Sequence, residues 1–343
     1  MNLLKRLLLF PLELLIYGPS YAYIQTLIRS PQPIDPEYVW RELTKEPPAL
    51  LRFFLHNYPP RFLRRLILAL KMRQDHVVGI AYHYDVSNDF YKLFLDKRYM
   101  FYTCADFHTP DDSIEEAQQH KADFLLQLID PQPGEKILDL GCGWGAMLQR
   151  IAEQTGDREN LYGYTLSSEQ VRHNEEHNQF NVEFKNFVTG DYPELFFDKV
   201  YSIGSWEAVR PHELLPTLKK IYAAMKPGGR LVKHFFCRGE AGLFATIACG
   251  QIYFPGHLGS PYSKHLDAFE AAGFVVKQRT IHDYRPTLRA WFDNLVAHRE
   301  EALKVVDVST YNRYLTFFPA SWRYFQDGRG MVIRWVLEKP QAN

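Results

Sequence analysis

EKILDLGCGWG, Glu135 to Gly145, joins a short aliphatic run to a glycine-rich turn and then to a helical pattern that begins with Ala146. Glycines in such a turn let the backbone approach a ligand closely, and a helix N-terminus offers free N–H groups to it. A strand–turn–helix of this kind opens a doubly wound α/β sheet. It occurs in dinucleotide enzymes as well as in other nucleoside binders, so the glycines alone do not decide between them.

The next strand separates the two. A dinucleotide enzyme presents an Asp or Glu to the ribose about 20 residues beyond the glycines. Here NLYGYTLS ends in Tyr164, Thr165, Leu166 and Ser167, with Gln170 one turn into the following helix, and the acid is missing. Hydroxyl and amide groups can still bond a ribose, while Ser167 or Ser168 caps the helix. After the third strand, Gly190-Asp191-Tyr192 offers a carboxylate and a ring to an adenine, or forms a plain turn.

Outward from this point, VEFKNFVTG, FDKVYSIGS, GRLVKHFFC, FVVKQRTIHDY and MVIRWVLEK complete seven strand patterns. Helical segments alternate with most of them, including SSEQVRHNEEHNQF, ELLPTLKKIYAAM (closed by Lys226-Pro227-Gly228-Gly229), TLRAWFDNLVAHREEAL and STYNRYLTFF. The expected fold is α/β: a seven-stranded, mostly parallel, doubly wound sheet of Rossmann-like class I methyltransferase type, with a helical N-terminal region at 1–80 ahead of a domain at 81–343. Residues 238–265, rich in Gly and aromatics, read as an insertion over the site, or as an ordinary surface loop.

Bulk properties narrow the rest. The 343 residues are 46% hydrophobic and 23% charged, as in a folded globular protein. Forty Lys and Arg balance forty Asp and Glu, which gives no sign of a nucleic-acid binder. Residues 1–80 nevertheless carry eleven basic residues against six acidic ones. Cys104, Cys142, Cys237 and Cys249 show no metal-ligand spacing and no disulfide framework, which fits a reducing cytoplasm. The apolar N-terminus is interrupted by Glu13, lacks a clean cleavage site and falls short of a spanning helix, so a retained chain is expected. Lys5, Arg6, Arg61, Arg64, Arg65, Lys71 and Arg73 around apolar helix faces suit docking on an anionic membrane surface, or solvated charges on helices packed against the catalytic domain.

The order of motifs resembles the cyclopropane fatty-acid and mycolic-acid cyclopropane synthase family. HYDVSNDFYKLFLD (His83 to Asp96), MFYTCADF (Met100 to Phe107) and SIEEAQQHK (Ser113 to Lys121) lead into DLGCGWG and TLSSEQ. SIGSWEAV (Ser202 to Val209), MKPGGRLVKHFF (Met225 to Phe236), YFPGHLGS (Tyr253 to Ser260) and HDYRPTLRAWFDNL (His282 to Leu295) follow. The resemblance implies S-adenosylmethionine bound by Tyr102, Thr103, Asp139, Gly141, Gly143, Thr165, Gln170 and Asp191. It implies a bicarbonate ion held by Cys104, Glu207, His234 and Tyr284, with the Phe236 backbone supplying an N–H. The implied reaction adds a methyl carbon to the double bond of an unsaturated phospholipid acyl chain, leaves a carbocation, and closes a cyclopropane ring when the ion removes a proton. A peripheral membrane protein, with a homodimer among the expectations, goes with that reading.

Taken singly, each residue has a plainer alternative: Cys104 as a small buried hydrophobe, His234 as a satisfied core histidine, Tyr284 as a packing aromatic. Two departures stand out. Where the family reads phenylalanine, glutamate, histidine, this chain has Trp206, Glu207, Ala208, one imidazole fewer; and Thr103 and Asp106 replace a common serine and an aromatic. They motivate a methyl-branched or methylene product as an alternative. A small-amine N-methyltransferase and a membrane lipid-binding module without catalysis complete the set.

Overall fold

The computed structural model describes residues 22–49, 86–239, 252–254 and 259–341. The described residues form two compact units. One draws on Met1–Leu95, Arg238–Leu258 and Tyr284–Gly330, the other on Asp96–Cys237, Gly259–Asp283 and Met331–Asn343. The boundary expected near residue 80, and the seven basic residues assigned to membrane docking, lie outside the described residues.

The first unit is helical. Its elements are α1 (Pro36–Thr44), α2 (Asn88–Tyr91), α8 (Arg285–Ala297), α9 (Arg299–Val305) and α10 (Val308–Gln326). Phe90, Phe94, Trp291, Tyr314 and Phe318 pack edge to face among them, an arrangement aromatic rings prefer to face-to-face stacking. The sequence pattern at TLRAWFDNLVAHREEAL is two helices, broken at His298. STYNRYLTFF continues to Gln326 with Pro319 inside the helix. Of the expected insertion, Ile252, Tyr253 and Phe254 lie in this unit against Ile28 and Phe317.

The second unit carries the sheet. Its strands are β1 (Ile137–Leu140), β2 (Leu161–Thr165), β3 (Asn181–Phe184), β4 (Phe197–Ile203), β5 (Met225–Arg238), β6 (Val275–His282) and β7 (Gly330–Glu338). The spatial order is β3-β2-β1-β4-β5-β7-β6, with β6 antiparallel to β7 and the pairs β2–β3, β1–β2, β1–β4 and β4–β5 parallel. Helices α3 (Ile114–Ile129), α4 (Ala146–Thr155), α5 (Ser168–His173), α6 (Leu214–Ala224) and α7 (Tyr262–Ala271) belong to the same unit.

Alternation along the strands fills two cores. On β5, Leu231 and Phe235 face a cluster with Trp206, Leu218 and Trp335, while Val232 faces Leu126, Leu148 and Ile151 from α3 and α4. Period-2 placement therefore sends Lys233 to the Trp206 face and His234 to the α3 face. Helix α3 starts with a reciprocal cap: Ser113 Oγ accepts from the Glu116 N–H and Glu116 Oε2 accepts from the Ser113 N–H, an arrangement that contributes about 1 kcal/mol.

One local expectation holds with an addition and one changes. Helix α6 ends at Ala224, ahead of Lys226-Pro227-Gly228-Gly229 as expected, and Met225 to Gly229 go on to begin β5. The Gly228 N–H donates to Lys339 O and the Lys339 N–H to Gly229 O, so pairing with the C-terminal chain draws these residues into the strand. The helix after β2 stops at His173 and widens into a π turn, Asn174–Asn178. Among the described residues no helix is long and apolar enough to cross a membrane.

Candidate active site

The strand order reverses between β1 and β4, and open α/β sheets place ligands at the carboxyl ends of the strands at such a point. Gly141, just past β1, has φ +93°, and a Cβ there would lie 2.5 Å from Ser205 Cβ, just past β4. Glycine is what allows the two strand ends to close on each other. Gly143 also has positive φ, but a Cβ on it would meet nothing within 4 Å, which leaves open space on that side of the loop.

The residues expected to bind the cofactor are largely organised by one another. Thr165 Oγ1 and Gln170 Oε1 are 2.5 Å apart, so the hydroxyl donates to the amide oxygen. Ser167 is the serine that caps α5, accepting from the Gln170 N–H. Asn174, fully buried in the π turn, donates to Gly143 O at 3.0 Å and Gln170 O at 2.8 Å, and Asn178 donates to Trp144 O at 3.1 Å. These amides tie the glycine loop to the helix after β2. Asp139 is buried with Oδ1 unpartnered among the described residues, and burial pushes its carboxyl up to about 8 against a lowering contribution from Tyr201. Asp191 is exposed between β3 and β4, while Tyr192 packs on Tyr164 and donates to Phe187 O.

The loop from Phe101 to Asp106 runs close to the end of β4. A Cβ on Gly204, at φ +68°, would lie 2.1 Å from Thr103 Cγ2. Asp96 accepts from the N–H groups of Tyr99, Met100 and Phe101 and so shapes the entry to this loop. The buried Lys121 of α3 donates to Thr103 Oγ1 at 2.7 Å; burial, opposed by Asp96, pulls its ammonium down to about 7. Tyr102 is half-buried. Gly204→Ala is expected to displace Thr103 and lower S-adenosylmethionine affinity at least about tenfold, read by calorimetric titration. Gly156→Ala is the control, with φ +73° and nothing within 4 Å: it costs about 1 kcal/mol of strain and leaves affinity alone. Equal affinities in the two variants would refute this role of the loop.

Beyond the loop, Cys104 is buried, with Sγ 3.5 Å from the carbonyls of Ala105 and Asp283. Glu207 lies in a 3-10 turn, Trp206–Ala208, just past β4. Its Oε1 accepts the Phe236 N–H at 3.0 Å, so that N–H, expected to serve an anion, is engaged by the carboxylate. Oε2 is buried and unpartnered among the described residues. Burial raises this carboxyl to about 7, although the Phe236 N–H and Lys233 oppose the rise. His234, on the opposite face of β5 from Lys233, is buried, and its Nδ1 accepts from Arg334 Nε at 2.9 Å. Burial first, then Arg334, Lys121 and His282, hold it neutral, well below the usual imidazole range. Tyr284 belongs to the first unit, where it precedes α8 and packs against Trp291 and Phe325.

Several charged neighbours were not singled out from the sequence. Arg334, Lys233 and Lys121 are fully buried. The signal was available in part: Lys233 and Arg334 each interrupt an apolar strand run, GRLVKHFFC and MVIRWVLEK. Lys233 sits above the Trp206 indole, with its amine pushed well below the ordinary range by burial. Ser205 bonds Ser202 and the carbonyl of Leu140, holding the crevice floor.

The donor set fits the two groups the sequence implied. Open space beside Gly143 and the Asp139 oxygen unpartnered among the described residues suit a bound nucleoside; the Glu207 oxygen unpartnered among the described residues suits a small polar ligand. The model for mycolic acid cyclopropane synthetase matches residues 71–335. The chain belongs to this family of class I S-adenosylmethionine-dependent methyltransferases. Among the family's members, cyclopropane mycolic acid synthase 3 of Mycobacterium tuberculosis is 30% identical over 77% of this chain and 98% of its own length. A probable fatty acid methyltransferase of Pseudomonas putida is 31% identical over 77% of this chain and 70% of its own. The solved structure of mycolic acid cyclopropane synthase CmaA1 complexed with SAH and CTAB superposes with a TM-score of 0.68 at 26% identity, covering 78% of this chain and 99% of that one.

Proposed function

We propose that this member of the family transfers the methyl carbon of S-adenosylmethionine to the double bond of an unsaturated phospholipid acyl chain at a membrane surface and closes a cyclopropane ring. The observation that carries the reading is Glu207: a buried carboxyl past β4, one oxygen fixed by the Phe236 N–H and the other free for a ligand. When bound, S-adenosylmethionine supplies the methyl carbon and bicarbonate accepts the proton lost from it.

The residues have separate tasks in this proposal. Tyr102, Thr103, Asp139, Gly141, Gly143, Thr165, Gln170 and Asp191 hold the methyl donor. Cys104, Glu207 and His234 hold the anion. An alkene is a weak nucleophile without an acidic proton, so the chain must exclude water and fix the double bond close to the methyl group. Attack by the alkene leaves a cationic acyl carbon, which aromatic faces stabilise. Loss of a proton from the new methyl group then supplies the electron pair that closes the ring. Glu207 and a neutral His234 orient the proton acceptor and are not themselves consumed.

A second reading, a methyl-branched or methylene chain, is favoured by Ala208, which removes one imidazole beside Glu207 and would let deprotonation occur elsewhere. The test is incubation of the full chain with isotope-labelled S-adenosylmethionine and vesicles of unsaturated phospholipid, with and without anionic lipid. The expected result is label in the acyl chain with high-field ring protons in the product NMR spectrum. Olefinic methylene protons select the second reading, and no transfer at all ends the proposal. Transfer indifferent to anionic lipid and to salt removes the membrane-docking part.

A further inference from the structure

Arg334 of β7 is enclosed by acceptors. Its side chain is fully buried; Nη1 and Nη2 donate to Asp106 Oδ2 at 2.6 Å and Oδ1 at 2.8 Å, and Nε donates to His234 Nδ1 at 2.9 Å. Asp106 Oδ1 also accepts from His282 Nδ1 at 3.1 Å, and His282 Nε2 meets Thr280 Oγ1 at 2.8 Å. A guanidinium nitrogen has only hydrogens to offer. The His234 Nδ1 beside it must therefore present its lone pair. A neutral ring in that state carries its one hydrogen on Nε2.

We infer that Arg334, clamped by Asp106, is a positioning residue that fixes His234 as the neutral Nε2–H tautomer, so that the imidazole serves the site as a hydrogen-bond donor and not as the base. The inference rests on the proposed anion site only for what His234 donates to; the tautomer follows from the Arg334 geometry. It assigns a use to Asp106, which stands where the family has an aromatic. The side chain neutralises the guanidinium, and its two oxygens orient the fork so that Nε points at the imidazole. With Nδ1 occupied, a developing charge meets a donor of set direction and not a ring free to exchange tautomers.

A purely structural ion pair between the Asp106 loop and β7 is the competing account, and two substitutions separate them. Arg334→Gln places an amide nitrogen at the same number of bonds from the backbone as Nε, retaining a donor to His234. Arg334→Met retains none. Both lose the Asp106 fork, so a structural role would affect them alike.

The full chain, labelled with nitrogen isotope at histidine and free of ligands, would be examined by nitrogen NMR, with His234 assigned by its disappearance in His234→Gln. The expected spectrum has Nδ1 in the unprotonated range and Nε2 in the protonated range. Arg334→Gln keeps it, and Arg334→Met shifts toward mixed tautomers. With vesicles of unsaturated phospholipid, kcat falls in Arg334→Met at least about tenfold further than in Arg334→Gln, with KM for S-adenosylmethionine alike in both. A protonated Nδ1 in the wild-type protein overturns the inference, and so do equal spectra and equal kcat in the two variants. The expected spectrum together with no lipid methylation by wild type would leave the tautomer standing and sink the proposed function instead.

Discussion

Glu207→Gln is expected to slow methyl transfer to lipid on the order of a hundredfold or more while leaving S-adenosylmethionine binding intact. The amide retains the size of the side chain and an oxygen for the Phe236 N–H, but it can neither ionise nor exchange a proton at the position of the unpartnered Oε2. Single-turnover rates and a calorimetric titration of S-adenosylmethionine separate the two effects. A variant that turns over at the wild-type rate would remove Glu207 from the site.

The same substitution has a thermodynamic signature. Burial raises the folded-state value of Glu207 from 4.5 to about 7. Below 4.5 the group is protonated in both folded and unfolded chains and costs nothing. As pH rises through 7 the folded state must hold the charge, and stability of about 3 kcal/mol is lost across the interval. Asp139, raised from 3.8 to about 8, acts in the same direction but is present in both proteins and cancels in their difference. The melting temperature of Glu207→Gln relative to wild type should therefore climb between pH 5 and pH 8. A constant difference contradicts the burial argument.

Asp106→Ala is expected to lose about 3–5 kcal/mol of stability, because it strands a guanidinium that has no access to water. Urea unfolding at neutral pH reads the loss directly. Burial works to raise the Asp106 carboxyl, but hydrogen bonds from His282 and Arg334 outweigh it and bring it from 3.8 to about 2. The stabilisation is thus present above 3.8 and lost as pH falls through 2, so the gap between variant and wild type should narrow in acid. An unfolding midpoint unmoved at pH 7 would show that Arg334 finds another partner.

The seven strand patterns read from the sequence correspond to the seven strands of the sheet, because each is an aliphatic or β-branched run bounded by turn residues and tertiary pairing agrees with local preference. At Lys226 to Gly229 the proline and glycines announce the end of the helix, but not that the C-terminal chain makes a strand of them. The π turn was equally hidden: nothing in the spacing of SSEQVRHNEEHNQF tells that Asn174 is drawn out of an α-helical path to reach Gly143 O.

For the site, family motifs pointed to Cys104 in the loop after Asp96, Glu207 just past β4 and His234 inside β5. They did not point to Arg334. Sequence spacing cannot reveal a partner one hundred residues away, and a charged residue in an apolar strand is read first as an interruption. Asp106 was visible as a departure but not as a clamp, since its meaning depends on β7.

The placement of β7 has a further consequence for how the molecule is made. It is the last of the described strands in sequence, yet it is inserted between β5 and β6. During synthesis on a ribosome, every strand but this one can emerge while the gap between β5 and β6 stays empty, and β6 cannot join the sheet until its neighbour arrives. The imidazole of His234 meets its guanidinium partner in the same event. Completion of the sheet and completion of the site are therefore one late, non-local step, which topology makes slow. A ribosome stalled before Gly330 would display neither.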